Sequence, residues 1–167
     1  YERAQNVSAD IRERYAGEAI FIRAYLYSYL VNCFGDVPWV QHTIDVGDDE
    51  LYGPRTDKET LIEWIISEYD RAAASLPYAE DLTDEEIGRP TKEAAWAFCS
   101  RFALYHERWD KAISAAEEVM TANFHKLYDN GNPETTYHEL FTLASNPVTN
   151  KNNREFIVTR LYSEEAS

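Results

Sequence analysis

The sequence predicts an all-α fold of helical hairpins stacked side by side, with long loops and one strand near the C-terminus. Two patterns carry that expectation. Apolar residues recur at three- and four-residue spacing through four long segments, the period of a helix. Between those segments stand residues that start or stop helices, namely Gly35, Pro38, Thr56, Pro77 and Thr91.

The first helix is expected from about Ser8 to Phe34. Ile11, Tyr15, Ala19, Ile22, Leu26, Tyr29 and Cys33 form its apolar stripe, and the nearly unbroken apolar run from Ala19 to Phe34 predicts burial on several sides. Gly35 to Arg55, rich in Gly, Asp and Pro, reads as a long loop of the kind that is functional or mobile. A second helix is expected from Thr56, with Glu59 completing a capping box and Pro77 ending it; Ile62, Ile65, Tyr69, Ala72 and Leu76 make its stripe. After the acidic connection Glu80 to Gly88, a third helix opens at Thr91 and carries Ala95, Cys99, Phe102 and Leu104 to about His106. A fourth runs from Trp109 to Ala122 through Ala112, Ile113, Ala116, Val119 and Met120. Their short connection makes them antiparallel neighbours.

Beyond Asn123 the pattern weakens. Asp129 to Pro133 reads as a turn, and Thr136 to Leu143 as a short helix capped by Thr136 and Glu139. Asn146 to Asn153 reads as loop, and Glu155 to Tyr162 as a strand whose partner is expected in sequence outside this chain.

Length and charge narrow the function classes. The 167 residues make one domain, 1–167, large enough for a core without metals or disulfides. A net charge of -14 disfavours nucleic acid and anionic lipid, both of which select Lys and Arg. Cys33 and Cys99 both lie in apolar helical stretches and read as small buried hydrophobes. The chain starts at Tyr1 without a methionine, so an upstream segment is expected.

Chemistry-bearing patterns are sparse. His42, His106, His125 and His138 are scattered with no second ligand at zinc-helix spacing, and no phosphate loop or nucleophile elbow occurs. No catalytic residue, metal site or cofactor is expected. The acidic run Asp45, Asp48, Asp49 and Glu50 lacks the alternation of a calcium loop and reads as solvated. Arg23, in the middle of an apolar helix, is expected to pair with an internal carboxylate. Trp64, Trp96 and Trp109 are assigned to helix packing, and Tyr15, Tyr25, Tyr27 and Tyr29, spread around their helix, to the core.

Trp96, Trp109 and Ala112, with small Ser100 at the helix crossing, resemble the packing positions of a tetratricopeptide repeat, as do Tyr69, Ala72 and Pro77. More specifically, Gly17-Glu18-Ala19-Ile20-Phe21-Ile22-Arg23-Ala24-Tyr25 is followed by Phe34-Gly35-Asp36-Val37-Pro38-Trp39-Val40. Gly88-Arg89-Pro90-Thr91-Lys92-Glu93-Ala94-Ala95, Trp109-Asp110-Lys111-Ala112, Glu139-Leu140-Phe141 and Glu155-Phe156-Ile157-Val158 come next in order. In order and spacing these segments resemble the SusD/RagB family of outer-membrane glycan-binding lipoproteins of Bacteroidota.

The resemblance implies the helical, repeat-bearing portion of a longer protein at the outer-membrane surface. It implies an oligosaccharide or other nutrient as ligand, a SusC-like TonB-dependent transporter as partner, membrane contact only through a lipid anchor outside this chain, and no enzymatic activity. Trp39 and Tyr52, in the long loop, are the candidates for stacking on a sugar ring, whose C–H face packs on an aromatic surface. Packing of the loop onto the helices is preferred for Trp39, while Tyr52 stands open between the two roles. The alternatives are a helical-repeat scaffold for a protein partner and, after it, a hydrolase with its catalytic residues elsewhere.

Overall fold

The structure is a computed structural model that describes residues 6–142, 146, 150 and 152–159, apart from the side chain of Glu50. It is mostly helical: α1 Ala9–Phe34, α2 Lys58–Ser75, α3 Lys92–Tyr105, α4 Trp109–Ala122 and a short α5 Thr136–Leu140. α1 packs on α2, α2 on α3 and α3 on α4, so the chain is two helical hairpins laid against each other. Tyr69, Leu61, Ile62 and Ile65 from α2, Val31 from α1 and Cys99 from α3 are the largest fully buried apolar side chains and mark the centre of the core.

Local chemistry explains the boundaries. Gly35 ends α1 with φ +70°, a left-handed conformation that glycine adopts at no steric cost, and its N–H returns to Val31 O at 2.9 Å. Thr91 caps α3 as expected, its hydroxyl accepting the Ala94 N–H at 3.2 Å. α2 begins later than expected. Thr56 is drawn into an antiparallel bridge with Val37, and Asp57 becomes the cap, accepting the Thr60 N–H at 3.1 Å. The α3–α4 crossing is close because Ser100 is small, and its hydroxyl donates to Ala112 O at 2.8 Å.

Several expectations are corrected. The stripe assigned to the core of α1 is its outer face: Ile11, Tyr15, Ile22, Leu26 and Tyr29 are 48–63% exposed, and Cys33 is exposed as well. The buried stripe is Gly17, Phe21, Ala24, Ser28 and Val31, which lies on the opposite side of the helix and is made largely of small residues. Tyr15, Tyr25 and Tyr29 are therefore not core; Tyr27 alone of the four is partly buried and packed against it. Trp64 and Trp96 pack on the core, but Trp109 is 55% exposed at the start of α4. Leu104 of α3 and Ile113 and Met120 of α4 also face outward, and among the described residues α3 is the helix that packs closely on α4.

At the C-terminal end, α5 stops at Leu140 and Thr136 does not cap it; Leu143 lies outside the described residues. Glu139 instead accepts from the Tyr128 hydroxyl at 2.9 Å and from the Asn130 amide. The described part of the expected strand, 155–159, forms no ladder, because no second strand is present among the described residues to pair with it. It runs as a strap, tied by Lys126 N–H to Arg154 O at 3.3 Å and by Tyr128 N–H to the Glu155 carboxylate at 2.7 Å. Positions 160–162 lie outside the described residues.

The cysteines differ sharply. Cys99 is fully buried, and burial pushes its thiol up to about 12, whereas Cys33 is exposed on α1. A thiol reagent is expected to label one equivalent in the native chain and the second only on unfolding. Cys33→Ser should abolish the fast equivalent; rapid labelling of both native thiols would contradict this burial.

Candidate functional site

The loop between α1 and α2 is anchored by the residues that make it recognisable in the sequence. Val37 is buried in the core, and Asp36 accepts the Lys58 N–H at 2.9 Å, a second carboxylate at the start of α2. The Tyr27 hydroxyl accepts the Val40 N–H at 2.8 Å and holds the strand of loop beside α1. Trp39 continues that packing: its ring meets Trp64 at 5.4 Å and 60°, and Trp64 meets Tyr27 at 5.0 Å and 86°. The preferred reading of Trp39 as a residue that folds the loop onto the helices thus has a geometric counterpart.

Trp39 nevertheless keeps an unused group. Its indole Nε1–H is buried and has no hydrogen-bond partner among the described residues, a state that costs free energy. The same residue lines a surface hollow of about 300 Å³ with Pro38, Val40, His42, Gly53 and Pro54. Tyr52, 87% exposed, ends a 3₁₀ turn over Asp49–Tyr52 and is not part of that lining. The structure therefore puts Trp39 and Tyr52 on one loop without bringing them into one cavity. In the acidic run, Asp48 closes its own turn by accepting the Asp45 N–H at 2.8 Å. Among the described residues no three His, Cys, Asp or Glu side chains gather as a cation site.

Other motif residues turn out to hold the frame. Arg89 forms a two-pronged pair with Glu18, both contacts at 2.9 Å, and lies over the Tyr15 ring at 4.9 Å; the Glu18 hydrogen bonds push its guanidinium pKa up. Arg23 pairs with the buried Glu68, as expected of a charge in that position. Lys92 Nζ donates to Ala73 O at 2.7 Å and so caps the end of α2, while the buried Glu93 accepts the Ala79 N–H. His106, also buried, is held by Asn32 at 2.8 Å, and burial pulls its pKa below the ordinary value.

Glu86 joins the frame from the α2–α3 connection. The Thr83 backbone N–H, then the Thr83 hydroxyl, then the Arg14 guanidinium hold its carboxyl at about 2, down from 4.5. A carboxyl with a lowered folded pKa stabilises the fold above its unfolded pKa and loses that contribution as pH falls through the folded one. The link from α1 to this connection is expected to weaken between about pH 4.5 and pH 2. Denaturation midpoints of the wild type and Glu86→Gln, measured against pH, should differ at neutrality and converge near the acid end of that window.

Besides a shallow hollow at residues 107–111, two others lie between packed elements. One, of about 260 Å³, lies between the α2–α3 connection and the C-terminal strap, with Phe124, His125 and Phe156 in its wall. The other, of about 230 Å³, lies between α1 and α3. Sequence reading missed both. The second was hidden because Tyr25 and Tyr29 were assigned to the core, although the scatter of tyrosines around α1 was itself a sign of an aromatic outer face.

Comparison with known proteins agrees with this architecture. The chain is 27% identical over 125 residues to SusD-like protein P25 of Formosa agariphila, covering 72% of this chain and 23% of that protein. A solved SusD-like protein of Bacteroides fragilis superposes with TM-score 0.82 at 28% identity, over 98% of this chain and 30% of that one. A SusD-like carbohydrate-binding protein of the same species superposes with TM-score 0.76 at 28% identity, over 90% of this chain and 27% of that one. The chain thus spans roughly a quarter of the length of the relatives it matches. The family model described as SusD-like, starch-binding associating with outer membrane, matches residues 2–104, well over half of the sequence, and the chain belongs to that SusD-like family.

Proposed function

We propose that this chain is the helical part of a glycan-capturing protein at the outer-membrane surface, which holds oligosaccharide for a TonB-dependent transporter and makes or breaks no bond. The observation that carries the reading is Trp39, an aromatic on a braced loop that lines a surface hollow. Tyr52 supplies an exposed ring further along the same loop. A sugar offers a C–H face for both rings and hydroxyls for the polar groups around them. The family description and the carbohydrate-binding relative support the ligand class. Capture should be weak and reversible, because few contacts offset the cost of immobilising a flexible oligosaccharide.

Calorimetry of the intact natural protein against a panel of oligosaccharides tests this. A binder should be found, Tyr52→Ala and Trp39→Phe should each weaken it, and no product should form on prolonged incubation. Absence of binding across the panel, together with failure to co-purify with a transporter, would defeat the proposal. The exposed apolar stripe of α1 favours a second reading, a scaffold that docks another protein. Co-purification of a non-transporter protein without glycan binding would support it.

A further inference from the structure

The hollow between α1 and α3 combines an aromatic lining with a cation, Arg101, on a chain of net charge -14. Tyr25 of α1 meets Phe98 of α3 edge to face at 5.3 Å and 84°, and Tyr29, Phe102 and Tyr105 extend the aromatic lining. Tyr25, Tyr29 and Tyr105 are 42%, 63% and 71% exposed, so each ring keeps a surface open to solvent even where its neighbour, Phe98 for Tyr25 and His106 for Tyr105, packs against it. At the bottom, the buried Ser28 and Tyr69 hydroxyls lie 3.0 Å apart. The hollow shares no lining residue with the one at Trp39.

Its charge is the informative feature. The chain has 30 acidic residues, yet none lines this hollow, whereas Arg101 does. The Arg101 guanidinium stacks on the Phe98 ring at 4.7 Å and forms no ion pair among the described residues, unlike Arg14, Arg23, Arg71, Arg89 and Arg108. Asn32 stands on the same rim; its Oδ1 accepts the His106 Nε2–H at 2.8 Å, which leaves its NH₂ as a further donor. The lining therefore pairs aromatic faces with hydrogen-bond donors and one uncompensated cation.

We propose that this hollow is a second saccharide subsite, one that takes an acidic sugar, a uronate ring stacked among Tyr25, Tyr29 and Tyr105 with its carboxylate on Arg101. A neutral ring would use the aromatic faces but leave the guanidinium fork without its match; a planar carboxylate satisfies it with two parallel hydrogen bonds. From the proposed function this inference takes only the premise that the ligand is a saccharide, and it places that ligand elsewhere on the molecule.

The test titrates the intact natural protein with trimers of galacturonate, glucuronate and mannuronate and, in parallel, with neutral trisaccharides. At least one uronate trimer should bind. Arg101→Gln, at an exposed position, should weaken that binding roughly ten- to a hundredfold, as expected for a lost charge-assisted contact, and leave neutral sugars unaffected. Tyr105→Ser should weaken it too, and the bound trimer should protect Tyr29 and Tyr105 from iodination. Lack of binding by every uronate, binding unchanged in Arg101→Gln, or tyrosines already closed to iodination in the free protein because polypeptide covers the hollow would each overturn the proposal. Loss of neutral binding alone would count against the Trp39 loop and leave this subsite standing.

Discussion

Replacing Arg23 with methionine is expected to destabilise the chain by about 3 kcal/mol, the usual scale for removing one partner of a buried ion pair. Glu68 is fully buried in α2, and its carboxylate is shared between Arg23 from α1 and Arg71 one turn along α2. Arg23 also lies 5.6 Å from the centre of the Trp64 ring, so the pair sits beside the aromatic packing that braces the Trp39 loop. Without Arg23, a carboxylate that water cannot reach keeps only Arg71, which is itself 60% exposed. Glu68→Met should be milder, because both arginines it frees have a route to solvent. The double variant Arg23→Met with Glu68→Met should recover much of the loss, since an apolar pair requires no desolvated charge. Urea denaturation of the four proteins completes the cycle. A single Arg23→Met variant as stable as wild type would mean that α1 and α2 are not joined through this pair.

That pair was legible in the sequence in part. A lone arginine within Ala19, Ile20, Leu26 and Tyr27 demands a carboxylate, but its identity, 45 residues away, depends on which faces of α1 and α2 meet. The same limit explains the main correction. α1 is apolar on two opposite sides, and periodicity finds both without saying which one α2 covers. The larger residues, Ile11, Tyr15, Ile22, Leu26 and Tyr29, suggested the core, but close helix contact selected the small ones, Gly17, Ala24 and Ser28. α3 and α4 were easier. Thr91 is an unambiguous cap, and the short link between the helices leaves little freedom in how they pair. The strand over 155–162 failed at 155–159 for a different reason, since composition reports a preference for extended backbone and only a neighbouring strand converts it to a ladder.

The candidate site was legible as a loop and hardly at all as a surface. Trp39 and Tyr52 were found because aromatics in a long loop stand out, whereas the orphaned indole N–H, and the separation of Tyr52 from the hollow, exist only in three dimensions. The segments that carry the family resemblance proved to be mainly frame. Glu18 with Arg89, Asp36 at the start of α2, Lys92 at its end, and Glu139 and Glu155 with Tyr128 each satisfy a charge or a backbone group inside the fold. A frame of this kind can be common to proteins with different ligands, and specificity then falls to the loops and the hollows between helices.

Gly17 is where the helical frame is tightest, and leucine there is expected to lower stability by about 3 kcal/mol, at the upper end of the overpacking range. A Cβ on Gly17 would lie 3.0 Å from Ser75 Cβ and 3.3 Å from both Leu76 Cγ and the Ser75 carbonyl carbon. These neighbours are the end of α2 and a core residue, not the mobile tip of a long side chain. Alanine should have a small net effect, because the roughly 1 kcal/mol that alanine gains over glycine within a helix offsets the displacement its single carbon requires. Valine and then leucine add carbons with no place to go, so α1 must lift from α2 along the seam that also holds Arg23 and Glu68. At this chain length a loss of about 3 kcal/mol corresponds to a fall in Tm on the order of 10 °C. The thermal series Gly, Ala, Val, Leu should therefore be flat at first and then steep. A leucine variant that melts with the wild type would show that α1 and α2 do not meet at this point, and with that contact would go the stacked hairpin on which the loop and both hollows are mounted.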